Sequence, residues 1–268
     1  MQKIQKINIL HNYQKPSERV VDELRKKLLA ANFEVSENYD DHADLNICVG
    51  GDGVILIGMK EVGFPEIPFI GINTGHLGFF QELCPEDIDR LVSHLKDDDY
   101  QLEQLYLVES AVCTEDQCIP LTGINEIVIK GINSKVIHLN INIGDETLES
   151  YSGDGIIVST PMGSTAYNMS AGGSLVYPTL GVLQMTALAP INSRVYRSLT
   201  NSVIVPFNMT IELIPEYRDE NSILIVVDGV QLTYRDITNL KFWVSERKLT
   251  RLTTHEHHFW ANIKKKFL

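Results

Sequence analysis

The sequence is poor in long hydrophobic runs and in cysteine. No apolar run in the 268 residues approaches the roughly 18 that a membrane-spanning helix needs, and the first residues lack the apolar segment of a secretory signal. Four cysteines are present, without CxxC spacing. Cys113 and Cys118 flank a polar turn and can face each other on a hairpin, but a zinc site there would lack two ligands. We therefore expect a cytoplasmic protein without a membrane partner.

An excess of positive charge is also missing. The chain has 23 Lys and Arg against 35 Asp and Glu, which gives a formal net charge of -12. This balance argues against nucleic acid or an anionic membrane as a partner, although a local loop can still bind a small anion. Hydrophobic residues (44%) and charged residues (22%) occur in the proportions of a soluble globular protein. The length allows one large domain or two ordinary ones.

Two common phosphate-binding motifs, GxxxxGK[ST] and GxGxxG, are absent. In their place, residues 45–53 read LNICVGGDG, an apolar strand that ends in glycines before a second apolar segment. Gly50, Gly51 and Gly53 allow the backbone to approach a phosphate at a helix start. Asp52 among them can share a cation with the phosphates or accept a proton from an attacking hydroxyl. Both uses predict phosphoryl transfer, and a plain Gly-Asp-Gly turn is the alternative.

The first hundred residues alternate strand and helix patterns. The expected strands are residues 4–10, 33–35, 45–49 and 68–72. The expected helices are one with Ser17 as its N-cap, one from the glycine loop to about residue 60, and one at residues 85–95. This alternation predicts a parallel sheet covered by helices, whose ligands bind at the carboxyl ends of the strands. A second glycine-containing loop, residues 71–80, should emerge at that same end.

Short strand patterns replace this alternation from about residue 102. The expected strands are residues 105–112, 126–130, 135–143, 155–158, 203–205, 209–214, 222–227 and 240–244. They predict an antiparallel sandwich or barrel-like second domain, interrupted by one helix near residues 165–172. We expect domains at residues 1–102 and 103–250, followed by a tail at residues 251–268 that packs as a closing segment.

Two further stretches can carry chemistry. Residues 152–167 read SGDGIIVSTPMGSTAY, in which Asp154 lies between glycines and Ser164 and Thr165 stand at a helix start. Such hydroxyls cap a helix and can also hydrogen-bond a ligand. Asn125 and Glu126 precede a strand, where an amide can pair with an adenine edge and a carboxylate can accept from an amine or a ribose hydroxyl. Plain capping and a solvated turn are the alternatives.

These motifs occur in an order that resembles the NAD kinase family, specifically the bacterial inorganic polyphosphate/ATP-NAD kinases. The motifs are GGDG, GINTGHLGF, NE and DGIIVSTPMGSTAYNMSAGG, and the resemblance covers about residues 45–230. It implies a Rossmann-like α/β N-terminal domain, a β-sandwich-like C-terminal domain and a tail that returns to the first domain. It also implies that NAD binds between the domains near a neighbouring subunit, in a homodimer or homotetramer.

The reaction that the resemblance implies is phosphorylation of the adenosine ribose 2′-hydroxyl of NAD to form NADP. The donor is ATP or polyphosphate, with Mg²⁺ or another divalent cation. Asp52 would accept the hydroxyl proton, and Asp154 would reach the nicotinamide side of a neighbouring subunit's site. The backbones of Gly50, Gly51 and Gly53 would approach the donor phosphates. The other implied substrate contacts are Gly53, Phe79, Asn125, Glu126, Thr165, Ala166, Tyr167, Ser170, Ala189 and Ile191.

The chain departs from the family pattern at three positions. Val54 stands where the family usually has Thr, Ser152 where Arg is common, and Met162 where Ser or Thr is frequent. Val54 and Ser152 are the features that favour an NAD-binding regulator without turnover. Another GGDG-loop phosphotransferase, acting on a lipid or sugar hydroxyl, is a further alternative. We expect His76 to be an orienting group and the HEHH stretch at residues 255–258 to be a polar helix face rather than a metal site.

Overall fold

The computed structural model describes residues 3–75, 78–81, 83–192, 197–218, 222–254 and 259–268. The chain divides into two compact units. The first unit contains Met1–Leu105 and Lys248–Leu268, and the second contains Tyr106–Arg247. None of the helices in the described ranges is long and apolar enough to cross a bilayer.

The first unit begins with a parallel sheet and three helices. Its strands are β1 (Lys6–His11), β2 (Glu34–Val35), β3 (Leu45–Gly50) and β4 (Phe69–Asn73). Its first helices are α1 (Lys15–Ala30), α2 (Asp52–Glu61) and α3 (Ile88–Lys96). The strands pair in parallel in the order β2-β1-β3-β4. Every residue of β3 and β4 is buried, as the continuous apolar runs predict for central parallel strands.

The start of α1 differs from the expectation that Ser17 caps it. The helix begins at Lys15 after Gln14, and Pro16 lies in its first turn. Proline suits the first turn because its fixed φ is helical and its missing N–H has no partner there anyway. Ser17 therefore lies inside the helix, where it is fully buried and its Oγ is 2.9 Å from Thr74 Oγ1. The prediction of Ser17 as N-cap was wrong.

The rest of the chain is mostly antiparallel β-structure. The strands are β5 (Gln101–Cys113), β6 (Cys118–Gly123), β7 (Glu126–Gly131), β8 (Ile137–Ile143), β9 (Glu146–Gly153), β10 (Gly155–Ser159), β11 (Val182–Leu188), β12 (Val203–Pro206), β13 (Ile211–Pro215), β14 (Ser222–Val227), β15 (Val230–Arg235) and β16 (Asn239–Thr253). The helices are α4 (Tyr167–Ser170) and α5 (Phe259–Phe267). Short 3₁₀ turns span Pro85–Asp87, Ile132–Ser134 and Met162–Thr165.

The second unit buries its core between antiparallel sheets. One sheet has the order β12-β11-β10-β7-β14-β15, and in the other β16 pairs with β13, β13 with β8, and β8 with β9. The inward residues of both sheets form one apolar cluster that includes Ile129, Leu139, Val158 and Phe242. Strands β6, β9, β11 and β15 were not expected from the sequence. Cys113 and Cys118 face each other across the β5–β6 hairpin, as expected, and form a disulfide.

Candidate active site

The GGDG segment lies at the carboxyl end of β3, where the helix α2 begins. Gly51 is the N-cap of α2 and Asp52 is its first residue. Thr74, just after β4, donates its N–H to the Gly50 carbonyl at 3.3 Å. The carboxyl ends of β3 and β4 therefore meet, as expected for the two glycine-containing loops of a parallel sheet.

The Asp52 carboxylate is held by the second of these loops. Its Oδ2 accepts the Phe79 N–H at 2.9 Å, and its Oδ1 accepts the Phe80 N–H at 3.2 Å. Gly78 permits this contact, because a Cβ there would lie 2.6 Å from the Cγ of Asp52. The carboxylate is thus fixed by backbone donors, and it lies at the N-terminus of α2, where negative charge is favourable.

A cavity of about 750 Å³ opens beside this helix start. Gly51 and Gly53 line it, and a Cβ at either glycine would have no heavy atom within 4 Å. Gly50 is not among the lining residues. The other residues that line the cavity are Ile9, Leu10, His11, Asn12, Tyr13, Gln14, Glu37, Asn38, Tyr39, Val54, Ile57, Gly58 and Glu61. Two of the three glycines therefore border open space that a phosphate chain could fill.

Phe79 is buried under the C-terminal segment of the same unit. Its ring stacks on Phe267 with a centroid separation of 5.5 Å, and Lys266 Nζ lies 4.4 Å from its centroid. Its carbonyl accepts from Nη1 of Arg251 at 3.3 Å. Arg251 is fully buried and also forms hydrogen bonds to Glu103. The tail and β16 thus fix the loop residue that donates to Asp52.

Asn125 and Glu126 stand at the start of β7 in the second unit, with their backbone held on both sides. Asp228 accepts three N–H groups, from Ile124 at 2.7 Å, Asn125 at 2.7 Å and Glu126 at 3.1 Å. Thr160 donates its hydroxyl to the Ile124 carbonyl at 2.7 Å and its N–H to the Asn125 carbonyl at 2.8 Å. The backbone at the start of β7 is consequently fixed.

The side chains of the same two residues retain unused polar atoms. Asn125 is 8% exposed and Glu126 is 7% exposed. Within the described ranges, Asn125 Oδ1 and Glu126 Oε2 are buried without a hydrogen-bond partner. Burial and the nearby Asp228 carboxylate raise the pKa of Glu126 to about 8. Most buried polar atoms in folded proteins have a partner, so these two neighbouring oxygens retain hydrogen-bonding capacity that a ligand could use.

The STPMGSTAY segment packs against this strand start. Gly163 allows the approach, because a Cβ there would lie 2.5 Å from the Asn125 carbonyl carbon. The hydroxyls at residues 164 and 165 do not cap a helix, contrary to expectation. Ser164 Oγ exchanges hydrogen bonds with the Val176 backbone, and Thr165 Oγ1 donates to the Met162 carbonyl. The chain forms a 3₁₀ turn here and both residues are buried in it, so their hydroxyls bond to nearby backbone groups instead of capping a helix.

The remaining residues of this segment lie on and around α4. Ala166 is partly buried, while Tyr167 and Ser170 are exposed. Lys130 Nζ lies 5.8 Å from the centroid of the Tyr167 ring. Asn168 is fully buried and accepts from Thr186 on β11 at 2.7 Å, which anchors α4 to the sheet. This anchoring leaves the exposed face of α4 available to a ligand.

Asp154, Ala189 and Ile191 form a separate group. Asp154 precedes β10, whereas Glu126 pairs with Ser159 at the other end of that strand. The two ends are about 14 Å apart, given a rise of about 3.4 Å per residue. Asp154 donates its N–H to the Leu188 carbonyl at 3.0 Å, and Ile191 donates to Ser152 at 2.8 Å. The structure therefore does not bring this group together with Glu126 within one chain.

The three positions that depart from the family pattern have defined surroundings. Val54 lines the cavity beside Gly53. Ser152 is buried, and its hydroxyl lies 2.7 Å from Nδ1 of His138, whose pKa is lowered by burial and then by Arg218. Met162 is buried in the 3₁₀ turn. Of the three, only Val54 lies in the same unit and the same helix as Asp52.

Sequence reasoning missed several supporting residues, among them Gly78, Thr160, Tyr151, Asp228 and Arg251. Tyr151 is the clearest case, since its hydroxyl lies 2.7 Å from the Gly155 carbonyl and holds the turn that carries Asp154. The Asp228-Gly229 pair signals a tight turn in the sequence, but nothing local indicates its partners. His76 and residues 255–258 lie outside the described residues. The part of the chain that is described contains no group of three or more His, Cys, Asp or Glu that could hold a metal.

Two protein-family models match most of the chain. The ATP-NAD kinase N-terminal domain matches residues 3–100, and the ATP-NAD kinase C-terminal domain matches residues 124–253. The NAD kinase of Finegoldia magna is 41% identical over 268 residues, which cover 98% of this chain and 97% of that protein. The NAD kinase of Streptococcus gordonii is 34% identical over 267 residues, which cover 98% of this chain and 95% of that protein.

Solved structures share the fold. Yeast NADH kinase complexed with NADH matches with a TM-score of 0.86 and 21% identity, over 99% of this chain and 88% of that chain. An NAD kinase from Archaeoglobus fulgidus in complex with ATP matches with a TM-score of 0.77 and 23% identity, over 98% of both chains. The expected α/β N-terminal and β-rich C-terminal architecture is confirmed. Because the family models and the two relatives agree over nearly the whole length, the chain belongs to the NAD kinase family.

Proposed function

We propose that this protein phosphorylates the adenosine ribose 2′-hydroxyl of NAD to form NADP. The observation that carries the proposal is the Asp52 carboxylate, fixed by the Phe79 and Phe80 N–H groups at the N-terminus of α2. A fixed carboxylate flanked by open glycines fits a hydroxyl acceptor on one side and a phosphate donor on the other. Two relatives named NAD kinase cover nearly the whole chain and support the same reaction.

In the proposed reaction, Asp52 accepts the proton of the ribose 2′-hydroxyl. The 2′-oxygen then attacks the terminal phosphorus of the donor. With ATP, the new O–P bond forms, the bond from that phosphorus to the bridging oxygen breaks, and ADP leaves. Gly51 and Gly53 line the cavity that would hold the donor phosphates, and N–H groups at a helix start favour anions. ATP as donor is supported by the ATP complex of the Archaeoglobus fulgidus enzyme. Polyphosphate stays a prediction from the sequence.

The acceptor side of the proposal rests on the second unit. Asn125 and Glu126 offer unpartnered buried oxygens to adenine and ribose. In this proposal, the adenine pocket is also lined by Thr165, Ala166, Tyr167 and Ser170. The NADH complex of the yeast enzyme supports a dinucleotide as ligand.

Mg²⁺ fits this site as a cation that arrives on the donor phosphates. The described residues offer no three-ligand cluster, and both oxygens of Asp52 already accept backbone N–H groups. Mg²⁺ typically binds through one or two carboxylates together with substrate phosphates and water. When bound, it would neutralise charge on the transferred phosphoryl group.

The homo-oligomer that the family resemblance implies gives Asp154 a place in the proposal. Asp154, Ala189 and Ile191 stand at the end of β10 opposite Glu126, so we propose that they serve the dinucleotide site of a neighbouring subunit. A dimer or tetramer provides such a neighbour. Cytoplasmic localisation stays a prediction from the sequence.

The test is NADP formation from NAD and Mg²⁺, with ATP and polyphosphate in separate reactions. NAD binding is measured in parallel by calorimetry. Product with either donor supports the proposal and shows which donor the Val54 loop accepts. NAD binding without product from either donor would favour a regulator, and the absence of both would exclude NAD as the substrate.

A further inference from the structure

Asp228 stands apart from the residues that the proposed function uses. It lies at the turn between β14 and β15, with φ of +47°, about a hundred residues along the chain from the strand start that it contacts. Its carboxylate accepts the N–H groups of three consecutive residues, 124 to 126, at 2.7, 2.7 and 3.1 Å. Its own N–H donates to the Glu126 carbonyl at 3.1 Å. Hydrogen bonds to a charged acceptor are stronger than neutral ones, so this single side chain fixes the segment.

The backbone groups of residues 124–126 are hydrogen-bonded, whereas some of their side-chain oxygens are not. The N–H groups of residues 124–126 are bonded to Asp228, and Thr160 binds the carbonyls of residues 124 and 125. In contrast, Asn125 Oδ1 and Glu126 Oε2 have no hydrogen-bond partner among the described residues. The backbone is therefore held, while two buried side-chain oxygens keep hydrogen-bonding capacity that the described residues do not use, as in a preorganised site.

We propose that Asp228 is the positioning residue of the acceptor site, whose carboxylate holds residues 124–126 so that Asn125 and Glu126 face the adenosine of NAD. This inference rests on the proposed function and deepens it, since it names the residue that prepares the site for a dinucleotide. Asp228 acts through its neighbours, and its effect should fall on acceptor binding more than on donor binding.

Asp228 also acts on Glu126 through its charge. Burial is the larger cause of the raised pKa of Glu126, and the Asp228 carboxylate is the second cause. On β10, the register partner of Glu126 is Ser159, which carries no charge. Removing the Asp228 charge should therefore lower the pKa of Glu126. This shift reports the loss of the Asp228 charge beside Glu126, and it is read together with the split between KM for NAD and KM for ATP, because exposure of Glu126 alone would also lower its pKa.

The experiment compares the full-length wild-type protein with D228N and with the matched control D236N. Asp236 is also an aspartate with positive φ, +52°, in the turn that follows β15. We expect D228N to raise KM for NAD about tenfold or more, as the loss of hydrogen bonds to a charged group predicts. KM for ATP and kcat should change less than about threefold. D236N should match the wild type.

The pH profile of kcat/KM for NAD supplies the second readout. The limb that E126Q abolishes belongs to Glu126, and D228N should move this limb to lower pH. D228G is the second variant, because glycine adopts the positive φ of this turn without strain and so protects folding. It should reproduce both effects.

Distinct results separate the two proposals. If the wild type forms NADP but D228N and D228G leave KM for NAD and the Glu126 limb unchanged, the positioning role is overturned. If the variants raise KM for NAD and ATP equally without moving the limb, the role is structural only, and the proposal is overturned. If the wild type forms no NADP, the proposed function fails, and calorimetry with NAD decides the role of Asp228. Binding about tenfold weaker in D228N would then support it, and equal or absent binding would overturn it.

Discussion

The carboxylate of Asp52 accepts the backbone N–H of Phe79 at 2.9 Å, and this bond links the first residue of α2 to a loop 27 residues further along the chain. Phe79 is in turn held by Arg251 from β16 and by Phe267 from α5. The position of the candidate base thus depends on three separate segments of the first unit.

Replacing Asp52 by Asn should abolish most turnover. An amide cannot accept the 2′-hydroxyl proton, and loss of a general base typically lowers kcat by about 10²–10⁴-fold. The amide oxygen can still accept one of the two loop N–H groups, so NAD binding should persist. Steady-state kinetics and NAD calorimetry on D52N measure the two effects separately.

The control for this variant is D41N, an exposed aspartate in the same unit. D41N should retain wild-type kcat and wild-type NAD affinity. Unchanged turnover in D52N would rule out Asp52 as the base. Loss of NAD binding in D52N together with lost turnover would assign Asp52 to binding instead.

Replacing Gly78 by Ala should displace Asp52 without touching its chemistry. The added Cβ would lie 2.6 Å from Asp52 Cγ and 2.7 Å from Gln81 Oε1, which is closer than real Cβ atoms come. We expect kcat to fall by about 10²-fold, because misplacement by about an ångström can cost that much. G75A is the matched control in the same loop, since its Cβ would meet nothing nearer than 4.0 Å. Equal activity of G78A and G75A would contradict the proposed geometry.

The parts of the fold with strong local patterns were predictable. The run LNICV in β3 and the apolar β4 predict buried parallel strands, and both are fully buried. Strand β9, with the sequence ETLESYSG, was missed because it is largely polar and mostly exposed at its start. It forms by pairing with β8, so its structure comes from the partner strand and not from its own pattern.

The candidate site shows the same division between local and distant information. Each of the motifs GGDG, NE and STPMGSTAY is a short unbroken segment of the sequence. A resemblance of short motifs can therefore point to Asp52, Asn125 and Glu126. The residues that hold them are remote in the chain: Asp228 bonds to Ile124 across 104 positions and Arg251 bonds to Phe79 across 172. Only the folded chain brings these pairs together, and therefore sequence reasoning did not identify Asp228 or Arg251.

Removing only one partner of the Arg251–Glu103 ion pair should lower the free energy of unfolding strongly. Arg251 is 0% exposed and bonds to Glu103 through Nε and Nη2. R251M leaves the Glu103 carboxylate without its partner, and such losses typically cost about 3–5 kcal/mol. The double variant R251M/E103M removes both charges and should recover much of that stability. Denaturant unfolding of the single and double variants measures the coupling.

Arg247 provides the comparison on the same strand. It pairs with Glu109 at 3.0 Å, but its side chain is 54% exposed. Because solvent screens exposed pairs, R247M should cost less than about 1 kcal/mol. If R251M and R247M destabilise the protein equally, burial of Arg251 does not have the expected energetic role. R251M and the double variant should both lower kcat, since each removes the donor to the Phe79 carbonyl and so loosens the residue whose N–H fixes Asp52.

The raised pKa of Glu126 predicts a pH-dependent stability. The pKa is about 8 in the folded protein, through burial first and then Asp228, against about 4.3 in an unfolded chain. Between these values the folded state binds more protons than the unfolded state. The contribution of Glu126 protonation to stability is therefore full below the lower value and is lost as pH rises through the upper one.

The E126Q variant tests this contribution, because its amide side chain does not titrate. The free energy of unfolding of E126Q minus that of the wild type should therefore increase by about 1 kcal/mol or more between pH 5.5 and 8. E246Q, at an exposed position, should show no such trend. A difference independent of pH for E126Q would mean that Glu126 is already ionised in the folded protein.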